Sequence, residues 1–559
     1  MVASVCDGGG ARVAEVWTAE RGRLVAASAG ASPEQVEAFV QRGDDYADAW
    51  ADAYREACWD TAVLRVQSEE RMDARMLCLD GRLRGFGGSM RVIENDAADD
   101  AESALKILEN LPSVEECADP RRDGFESPPK TREGVLQVEE QLAQARALDL
   151  LSDPEQAISI LETQLERSRE LGEPRLLTRA LVSIAALEVR SGQAGRARKH
   201  IDEARLEAER AGLDLLLVRI LIMRAADAGL RRDNGQAKAD LEVAAAILHR
   251  YGGDSRYEAQ LLVRRGIIAY HSGDPESAVE LYQRGLERFE EIETEIEATI
   301  GALVNLGLAL RDLGRNDEAM VALEDARRRS RESFGPQNPE LPSIDLHIAM
   351  VLDEVDRLDD ALVVLRRGQR ILDATRQGAS MDGVQHHAGF AWIHQRLEQH
   401  GDALEHSVQA VQDLRSLGQE RHPDMAMCAS YAGAALVKLG RPEESLPLFR
   451  EALAVNEALL GRSHPEVADT LMGLGRAERA LEHWSEAQQA YARALQIRLA
   501  YKLPGPMVGE AREALALSLR HSNRAEARNV AALALEDYAS TPELREAAAE
   551  RLGDLVGSR

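Results

Sequence analysis

The chain has 559 residues, more than one compact core usually holds, so it contains either several domains or a repeat that grows in one direction. Charged residues make up 29%, hydrophobic residues 45% and aromatic residues only 4%, and Ala, Leu, Glu and Arg dominate, as in helical proteins. A formal net charge of −28 opposes non-specific binding to nucleic acid and to anionic membranes, so neither is expected as a partner.

Neither a membrane span nor a secretory signal is visible in the sequence. The best apolar run, over 213–223, contains Asp214 and Arg219 and is too short to cross a bilayer. The first residues lack the basic start and the apolar block of a signal peptide. We therefore expect a cytoplasmic chain without a membrane segment.

Residues 1–112 are predicted to form a small helical hairpin or bundle. A long helical pattern runs over 32–64, where Ser32 is placed to cap the first turn. A second helix is predicted over 68–84 and a short third helix over 99–111. Four of the five cysteines of the chain fall within the first 117 residues, which indicates two regions with different histories.

Two glycine-rich stretches lie in this first region, at 7–10 and at 85–89. Neither follows a strand, and neither ends in the Lys-Ser/Thr pair of a phosphate-binding loop. We therefore expect flexible turns, and the second of them should interrupt the helix that starts at Ser68.

Residues 113–133 break the helical pattern. Pro120, Pro128 and Pro129 cannot sit inside a helix without cost. This stretch is interpreted as a linker between the first region and the rest of the chain.

From about residue 137 onward, one pattern recurs every 40 to 42 residues. A small residue is followed twelve positions later by a second small residue, and a third comes seven positions after that. The first two members of the ten units are Ala145 and Ala157, Ala185 and Ala197, Ala225 and Ala237, Gly266 and Ala278, Gly307 and Ala319, Ala349 and Ala361, Ala391 and Ala403, Gly433 and Ser445, Gly475 and Ala487, and, more weakly, Leu515 and Ala527.

This spacing predicts antiparallel helix pairs, because two helices approach closely only where their side chains are small. The first small residue lies on helix A of each pair, and the second lies early on helix B. Turn sequences stand where the corner between the helices should be, as in 272–277 and 439–444. Glycine ends helix A there, and Asp or Pro starts helix B.

The pattern resembles the tetratricopeptide repeat. The connections "LLGRSHPEVADTLMGLG" (459–475) and "SLGQERHPDMAMCASYAG" (416–433) resemble the kinesin-light-chain type in particular. The resemblance implies an all-α fold, a right-handed α-solenoid over 134–540 whose concave face is lined by A helices. Residues 541–559 would then be a capping helix or tail. Each repeat would contact only its neighbours.

A second resemblance covers about residues 6–122. The tract "YADAWADAYREAC…RVQSEERMDARMLCLDGRL" looks like the segment between the kinase domain and the repeats in myxobacterial-type serine/threonine kinases with C-terminal tetratricopeptide repeats. The kinase motifs themselves are absent: there is no glycine-rich loop with a following lysine, no "HRD…N" and no "DFG". We expect either a stand-alone relative or a gene product that has lost its first part.

The state of Cys6, Cys58, Cys78 and Cys117 depends on the compartment. Their spacing is not that of structural zinc ligands, and no partnered histidine indicates a catalytic thiol. Reduced, partly buried thiols are expected in a cytosolic chain. Two disulfides are the alternative, if the region that resembles the kinase connector lies outside the membrane.

Five histidines of the repeats are candidates for metal ligands or for structural residues. His386, His387 and His394 cluster in the seventh repeat, but no carboxylate stands at ligand spacing, so we expect helix-surface or groove side chains and no metal. His422 and His464 belong to the "HP" bends, where a structural role suffices.

A partner surface is predicted on the concave side. Side chains four and five positions after the first small residue should face it, and they concentrate basic and hydrogen-bonding groups that could hold an acidic peptide or a terminal carboxylate. The alternative is that long basic side chains only balance acidic neighbours. The predicted positions are Arg190, Tyr270, His271, Arg311, Gln395, Arg396, Lys438, Arg479 and Arg520.

The sequence thus predicts a non-catalytic scaffold that binds a protein or peptide, without a cofactor. An alternative follows from the second resemblance: the regulatory half of a serine/threonine kinase, with a kinase as partner and an extracytoplasmic location if the longer protein is membrane-anchored. A repeat platform in transcriptional or signalling control is a third option. No residue is assigned to catalysis, and the oligomeric state is left open.

Overall fold

A computed structural model of the chain describes residues 6–96, 101–119, 132–151, 153–292, 295–375 and 380–556. Within these ranges the backbone forms helices and turns and no β-strand, which confirms the predicted all-α class. No helix in the same ranges is both long enough and apolar enough to cross a membrane.

In its described residues, the N-terminal region is a bundle of five α-helices and one 3-10 helix. They are α1 (Gly9–Ala14), α2 (Ala19–Ser28), α3 (Pro33–Ala62), α4 (Glu69–Asp96), α5 (Ala101–Glu109) and the 3-10 helix Glu115–Ala118. Ser32 caps α3 as predicted: its hydroxyl accepts from the backbone N–H of Gln35, and the Gln35 side chain accepts from the Ser32 N–H. Trp50 is fully buried in the core of this bundle.

The glycine-rich stretch 85–89 is helical, so the prediction of a flexible turn there is wrong; in the stretch 7–10, Asp7 and Gly8 form a turn and only the last two residues are helical. Helix α4 runs unbroken through 85–88, and α1 begins at Gly9. A Cβ on Gly85 would lie 3.3 Å from the Cβ of Ala143, and one on Gly88 would lie 2.9 Å from the carbonyl oxygen of Glu140. These glycines therefore let α4 pack closely against the helix that carries those two residues.

Twenty helices follow in sequence. They are α6 (Arg132–Leu150), α7 (Pro154–Leu171), α8 (Pro174–Arg190), α9 (Ala194–Ala211), α10 (Asp214–Leu230), α11 (Asn234–Tyr251), α12 (Ser255–His271), α13 (Pro275–Glu290), α14 (Ile296–Asp312), α15 (Asn316–Phe334), α16 (Leu341–Glu354), α17 (Leu358–Ala374), α18 (Met381–Arg396), α19 (His400–Ser416), α20 (Pro423–Lys438), α21 (Pro442–Leu460), α22 (Pro465–Ala480), α23 (Trp484–Ala500), α24 (Gly505–Leu519) and α25 (Arg524–Asp537). Even-numbered helices are the A helices and odd-numbered helices the B helices of ten tandem repeats. Two short helices, α26 (Pro542–Arg551) and α27 (Gly553–Val556), end the described chain.

The small residues of the predicted pattern lie where A and B helices meet. All nineteen small positions are buried. At three of the four first positions that are glycine, an aromatic ring packs on the glycine: a Cβ on Gly266 would lie 2.6 Å from Tyr282, and one on Gly475 would lie 2.5 Å from Tyr491. The small residues thus make room for large ones sixteen positions further on.

The turns follow the predicted chemistry. Gly273 and Gly440 end their A helices with positive φ, at +80° and +73°. Asp274 then caps α13, because its carboxylate accepts from the N–H of Ser277 at 3.1 Å. In the "HP" bends, each histidine accepts a hydrogen bond from the backbone two residues later. Nδ1 of His422 accepts from the N–H of Asp424 at 3.2 Å, and Nδ1 of His464 accepts from the N–H of Glu466 at 3.3 Å.

The chain divides into two compact units. Unit 1 comprises Met1–Leu313 and Ser333–Gly335, and unit 2 comprises Gly314–Glu332 and Pro336–Arg559. Unit 1 therefore holds the N-terminal bundle together with the first four repeats and α14, and one apolar core runs through the bundle and the first repeats. Unit 2 holds the sixth to tenth repeats and the chain to its end.

The sequence boundaries at 112, 133 and 540 stay a prediction. Residues 115–118 of the predicted linker form the 3-10 helix of the N-terminal bundle. Pro120, Pro128 and Pro129 lie outside the described residues.

The four early cysteines are paired, contrary to the reduced state expected of a cytosolic chain. Cys6 is bonded to Cys58 and Cys78 to Cys117, with Cα–Cα distances of 5.6 Å in both pairs. The first disulfide joins the segment before α1 to α3, and the second joins α4 to the 3-10 helix. Sequence spacing could not show this, because each bond depends on how the helices of the bundle pack.

Candidate peptide-binding surface

The A helices of unit 2 carry an exposed apolar cluster. Met350 and Trp392 each lie one position after the first small residue of their A helix, and they are 39% and 40% exposed. Met427 lies on the next A helix and is 37% exposed. Together with Tyr431, one turn after Met427, these residues are called the Trp392 patch.

Contacts connect the patch across three neighbouring A helices. The indole of Trp392 on α18 lies 6.0 Å from the ring of Tyr431 on α20, in a tilted arrangement. On the other side, Nε1 of Trp392 donates to Oδ2 of Asp353 on α16 at 2.8 Å. Burial raises the pKa of Tyr431 to about 12, so its hydroxyl stays protonated at neutral pH. Trp392 is therefore fixed between its two neighbouring A helices, with a polar group at one edge.

Asp353 also neutralises one of the predicted basic groups. Nη1 of Arg396 donates to Asp353 at 2.6 Å, and Nη2 donates to Asp356 at 2.8 Å. The guanidinium of Arg396 is therefore engaged, although about a third of its side chain is exposed. It orients the edge of the patch and has little capacity left for a second carboxylate.

Lys438 and Arg479, in contrast to Arg396, have no partner within the described chain. They end the A helices α20 and α22 and form no side-chain ion pair or hydrogen bond with any other described residue. Two uncompensated cations on consecutive A helices attract a negative group. Of the predicted concave positions in unit 2, these two are the ones whose side chains have no polar partner among the described residues.

The remaining predicted positions of unit 2 are engaged within the chain. The amide of Gln395 donates to the carbonyl oxygen of Tyr431 at 3.0 Å and so connects α18 to α20. Nε of Arg520 lies 3.1 Å from Nε2 of His521. These contacts hold neighbouring side chains in place.

In unit 1 the predicted positions also have internal partners. Arg190 is paired with Asp149. Asp312 accepts from the hydroxyl of Tyr270 at 2.5 Å and from Nη2 of Arg311 at 2.7 Å. The ring of His271 lies 5.6 Å from that of Tyr270. Seven of the nine predicted positions thus have partners within the described chain, and three of these, Arg190, Arg311 and Arg396, are in ion pairs with aspartates.

The A-helix side of the first repeats is covered by the N-terminal bundle. Ile107 and Leu111 line a small crevice together with Ala143 and Ala147 of α6. Further along, the carboxylate of Glu116 accepts from Arg82 at 2.9 Å and from Arg256 of α12 at 2.8 Å. The corresponding surface of unit 2 carries the Trp392 patch instead, and that patch is open to solvent.

The histidines of the seventh repeat are internal, not on the helix surface as expected. Nε2 of His386 contacts the carbonyl oxygen of Pro342 at 2.7 Å, and His386 is fully buried. His387 and His406 bring their Nδ1 atoms to 3.0 Å, so one donates and the other accepts. The ring of His394 is stacked 5.6 Å from that of His406. In the part of the chain that the structure describes, no group of three or more metal-ligand side chains is placed to hold a metal ion.

Sequence reasoning missed the Trp392 patch, although its signal was present. The predicted partner positions are the fourth and fifth after the first small residue, where charged groups stand. Met350 and Trp392 occupy the first position after it, and Met427 and Tyr431 the sixth and second before it. Exposed Met and Trp at those positions of neighbouring A helices would have indicated an apolar surface.

Two parts of the chain match family models. Residues 299–340 and 424–500 each match a model described as Tetratricopeptide repeat. Protein KINESIN LIGHT CHAIN-RELATED 3 of Arabidopsis thaliana is 22% identical over 215 residues, which are 38% of this chain and 33% of that protein. The chain spans about a third of the length of the curated relatives it matches.

Two solved structures are similar in part. The crystal structure of BtubC (BKLC) from P. vanneervenii covers 41% of this chain and 92% of its own, with 20% identity and a TM-score of 0.37. The apo form of the quorum sensor NprR from B. thuringiensis covers 64% of this chain and 98% of its own, with 12% identity and a TM-score of 0.47. The family matches identify residues 299–340 and 424–500 as tetratricopeptide repeats, and part of the chain is similar to kinesin-light-chain-related proteins.

Proposed function

Because the chain carries tetratricopeptide repeats with an exposed aromatic surface, we propose that it is a non-catalytic scaffold which binds a peptide segment of a partner protein. The segment lies along the A helices of unit 2. Its apolar side chain packs on the Trp392 patch, and an acidic group faces Lys438 and Arg479. Helical repeats of this kind offer extended surfaces to such ligands.

The exposure of the Trp392 patch carries the proposal. Burial of a large aromatic side chain lowers the free energy, and yet Trp392 is 40% exposed and Met350 is 39% exposed beside it. Such patches rimmed by polar groups mark interaction sites, and tryptophan is enriched among the residues that dominate binding energy. The indole is held in place by Asp353, so little entropy is lost when a partner covers it.

Selection of random peptides displayed on phage against the full chain tests this proposal. Selected peptides should combine an apolar anchor with acidic residues. Trp392→Ala should weaken their binding roughly tenfold or more, as expected for a central aromatic anchor. Lys438→Glu with Arg479→Glu should weaken binding more at low salt than at high salt, because the contacts are ionic.

The matched control is Val363→Ala. Val363 is an exposed apolar residue of the B helix α17 in the same unit, so its truncation should leave peptide affinity unchanged. The proposal is wrong if the selected peptides bind Trp392→Ala as tightly as the unchanged chain, provided that the variant retains its helical content and melting temperature.

We further propose that the chain acts in a bacterial signalling system, as a partner or regulatory half of a serine/threonine kinase. The resemblance of residues 6–122 motivates this, and the pairing of its four cysteines favours an oxidising, extracytoplasmic compartment. Rapid alkylation of thiols in cells that make the protein should then leave these cysteines unmodified until a reductant is added. Four freely alkylated thiols would instead place the region in a reducing compartment.

A further inference from the structure

The fourth repeat contains a cavity that the proposed peptide surface does not use. It has a volume of about 600 Å³, within the range typical of small-molecule sites, and it opens between α11, α12 and α13 in unit 1. Leu248 of α11 with Leu261 and Leu262 of α12 contributes apolar lining, and Arg265 and Arg284 add two guanidinium groups. The cavity thus combines an apolar wall with two cations.

Arg265 lacks the carboxylate that its counterpart has one repeat earlier. Arg224 stands at the same position of the third repeat, and its Nε donates to Asp240 at 3.0 Å. The residue that corresponds to Asp240 in the fourth repeat is Leu281. Arg265 accordingly forms no side-chain ion pair or hydrogen bond with the described residues.

Arg284 also lacks a carboxylate partner that its counterpart in another repeat has. Its counterpart in the sixth repeat is Arg367, which donates twice to Asp345, at 3.0 and 2.5 Å. The fourth repeat has Leu262 at the position of that aspartate. Arg284, too, is without an ion pair or side-chain hydrogen bond in the described part of the chain. Arg265 and Arg284 therefore both lack a carboxylate that another repeat supplies.

The acidic groups around the cavity do not replace these carboxylates. Glu291 and Glu258 lie 3.4 and 3.8 Å from Arg288, a third arginine of the lining. Glu287 is exposed on α13, and no ion pair within 4.0 Å joins it to Arg284. Arg265 and Arg284 are thus left to an external anion.

We propose that this cavity binds a small organic acid, whose carboxylate takes the place of the two missing aspartates. The carboxylate accepts hydrogen bonds from Arg265 and Arg284, as Asp240 and Asp345 do elsewhere in the chain. A short apolar body covers Leu248, Leu261 and Leu262. The site lies in unit 1 and is separate from the Trp392 patch.

Calorimetric titration of the full chain with octanoate tests this inference, with octanol as the neutral probe of similar length. Octanoate should bind and octanol should not. Arg265→Gln and Arg284→Gln should each weaken octanoate binding roughly tenfold or more, the effect expected when a charged hydrogen bond is lost. Inorganic phosphate should bind more weakly than octanoate, because it gains nothing from the apolar wall.

Two further variants sharpen the test. Leu262→Asp places beside Arg284 an aspartate like the one that the sixth repeat has. The new carboxylate should compete with octanoate for Arg284 and abolish octanoate binding, while the melting temperature of the variant stays unchanged. Arg264→Gln removes an exposed arginine of α12 that does not line the cavity, and it should change nothing. Equal binding of octanol, stronger binding of phosphate, no binding of octanoate, or undiminished binding by Leu262→Asp would each overturn the proposal.

Discussion

The smallest element of this architecture is a pair of residues, one on helix A and the other sixteen positions later on helix B. Glycine on helix A is combined with a ring in three repeats, alanine with a long aliphatic side chain in four, and Leu515 with alanine in the last. The pairs are Gly266 and Tyr282, Gly433 and Phe449, Gly475 and Tyr491, Ala145 and Leu161, Ala185 and Ile201, Ala225 and Leu241, Ala349 and Leu365, and Leu515 and Ala531. In these eight repeats a small side chain is matched by a large one, whereas Gly307 is followed by Leu323 and Ala391 by Ser407 in the other two.

This complementarity predicts a specific rescue. Gly475→Ala should cost about 1–3 kcal/mol of unfolding free energy, because its Cβ would lie 2.5 Å from the Tyr491 ring, which has no free space to move into. Combining it with Tyr491→Leu recreates the alanine and leucine pair of the first repeat. Denaturant unfolding of the single and double variants gives the coupling energy.

The double variant should be more stable than the sum of the two single changes implies. Purely additive losses would contradict the volume argument. Ala487→Gly serves as the control, since it changes the second small position of the same hairpin, a buried alanine of α23.

At the scale of the element, the hairpin of α18 and α19 encloses titratable groups. Burial, together with the neighbouring His387 and His394, lowers the pKa of His406 to about 4, because the charged imidazolium is poorly solvated there and is repelled by a second positive charge. Burial also lowers the pKa of His386 and of His387. The hairpin is therefore built around neutral imidazoles.

The stability of this hairpin should depend on pH. The pKa of His406 is lower in the folded chain than the ordinary value of 6.5, so the unfolded chain binds more protons between these values. Stability is fully present above about pH 6.5 and is lost as the pH falls toward about 4. Amide hydrogen exchange in α18 and α19, followed across this range, should show the loss.

His406→Leu should flatten the pH dependence of exchange in this hairpin. Leucine already occupies the corresponding position in other repeats, as Leu281 and Leu448 do, so the fold can accommodate it. An unchanged pH profile in this variant would show that other groups are responsible. Exchange in α22 and α23 provides the internal reference, because no histidine cluster lies between them in the described structure.

At the scale of the whole molecule, the N-terminal bundle and the repeats are stabilised differently. Each repeat of the array is stabilised by its neighbours, and stability accumulates along the chain. The bundle has short helices at its start, and its disulfides span 52 and 39 residues. It nevertheless shares a continuous apolar core with the first repeats. The bundle thus acts as a cross-linked cap on the beginning of the array.

Replacing Cys78 and Cys117 by alanine should destabilise this cap. Closing a loop of 39 residues restricts the unfolded chain by about 4 kcal/mol in the entropy model. Hydrogen exchange should therefore accelerate in α3 to α5, and the contact of Glu116 with Arg256 should weaken with it, while repeats of unit 2 stay protected. Equal protection of the cap with and without the bond would contradict this account.

Cys428→Ala is the matched control. Cys428 is a buried free thiol of unit 2, and burial raises its pKa to about 12, so it neither ionises nor cross-links at neutral pH. Its loss removes one sulfur atom from a well-packed core. Only a small change, confined to unit 2, is expected.

The sequence by itself determined the repeating part of this protein. Its all-α class, the helix pairs, the glycine-ended corners and the histidine caps all depend on residues within one 40-residue period, where local preference and packing agree. Ten nearly identical spacings made that inference secure. The small positions, from Ala145 to Ala527, could be located because each faces its own hairpin or the next one.

Only the tertiary structure decided what is not periodic. The glycines of 85–89 lie inside α4 because α6, fifty residues away, packs against them, and the cysteines pair because the bundle brings distant helices together. Which basic side chains stay free depends on carboxylates of neighbouring repeats: Arg396 is engaged, whereas Lys438 and Arg265 are not. Exposure of Trp392 is likewise a property of the surface that three helices form together. Residues within one period determine the repeat, whereas contacts between residues that are distant in the sequence determine which side chains are available to a partner.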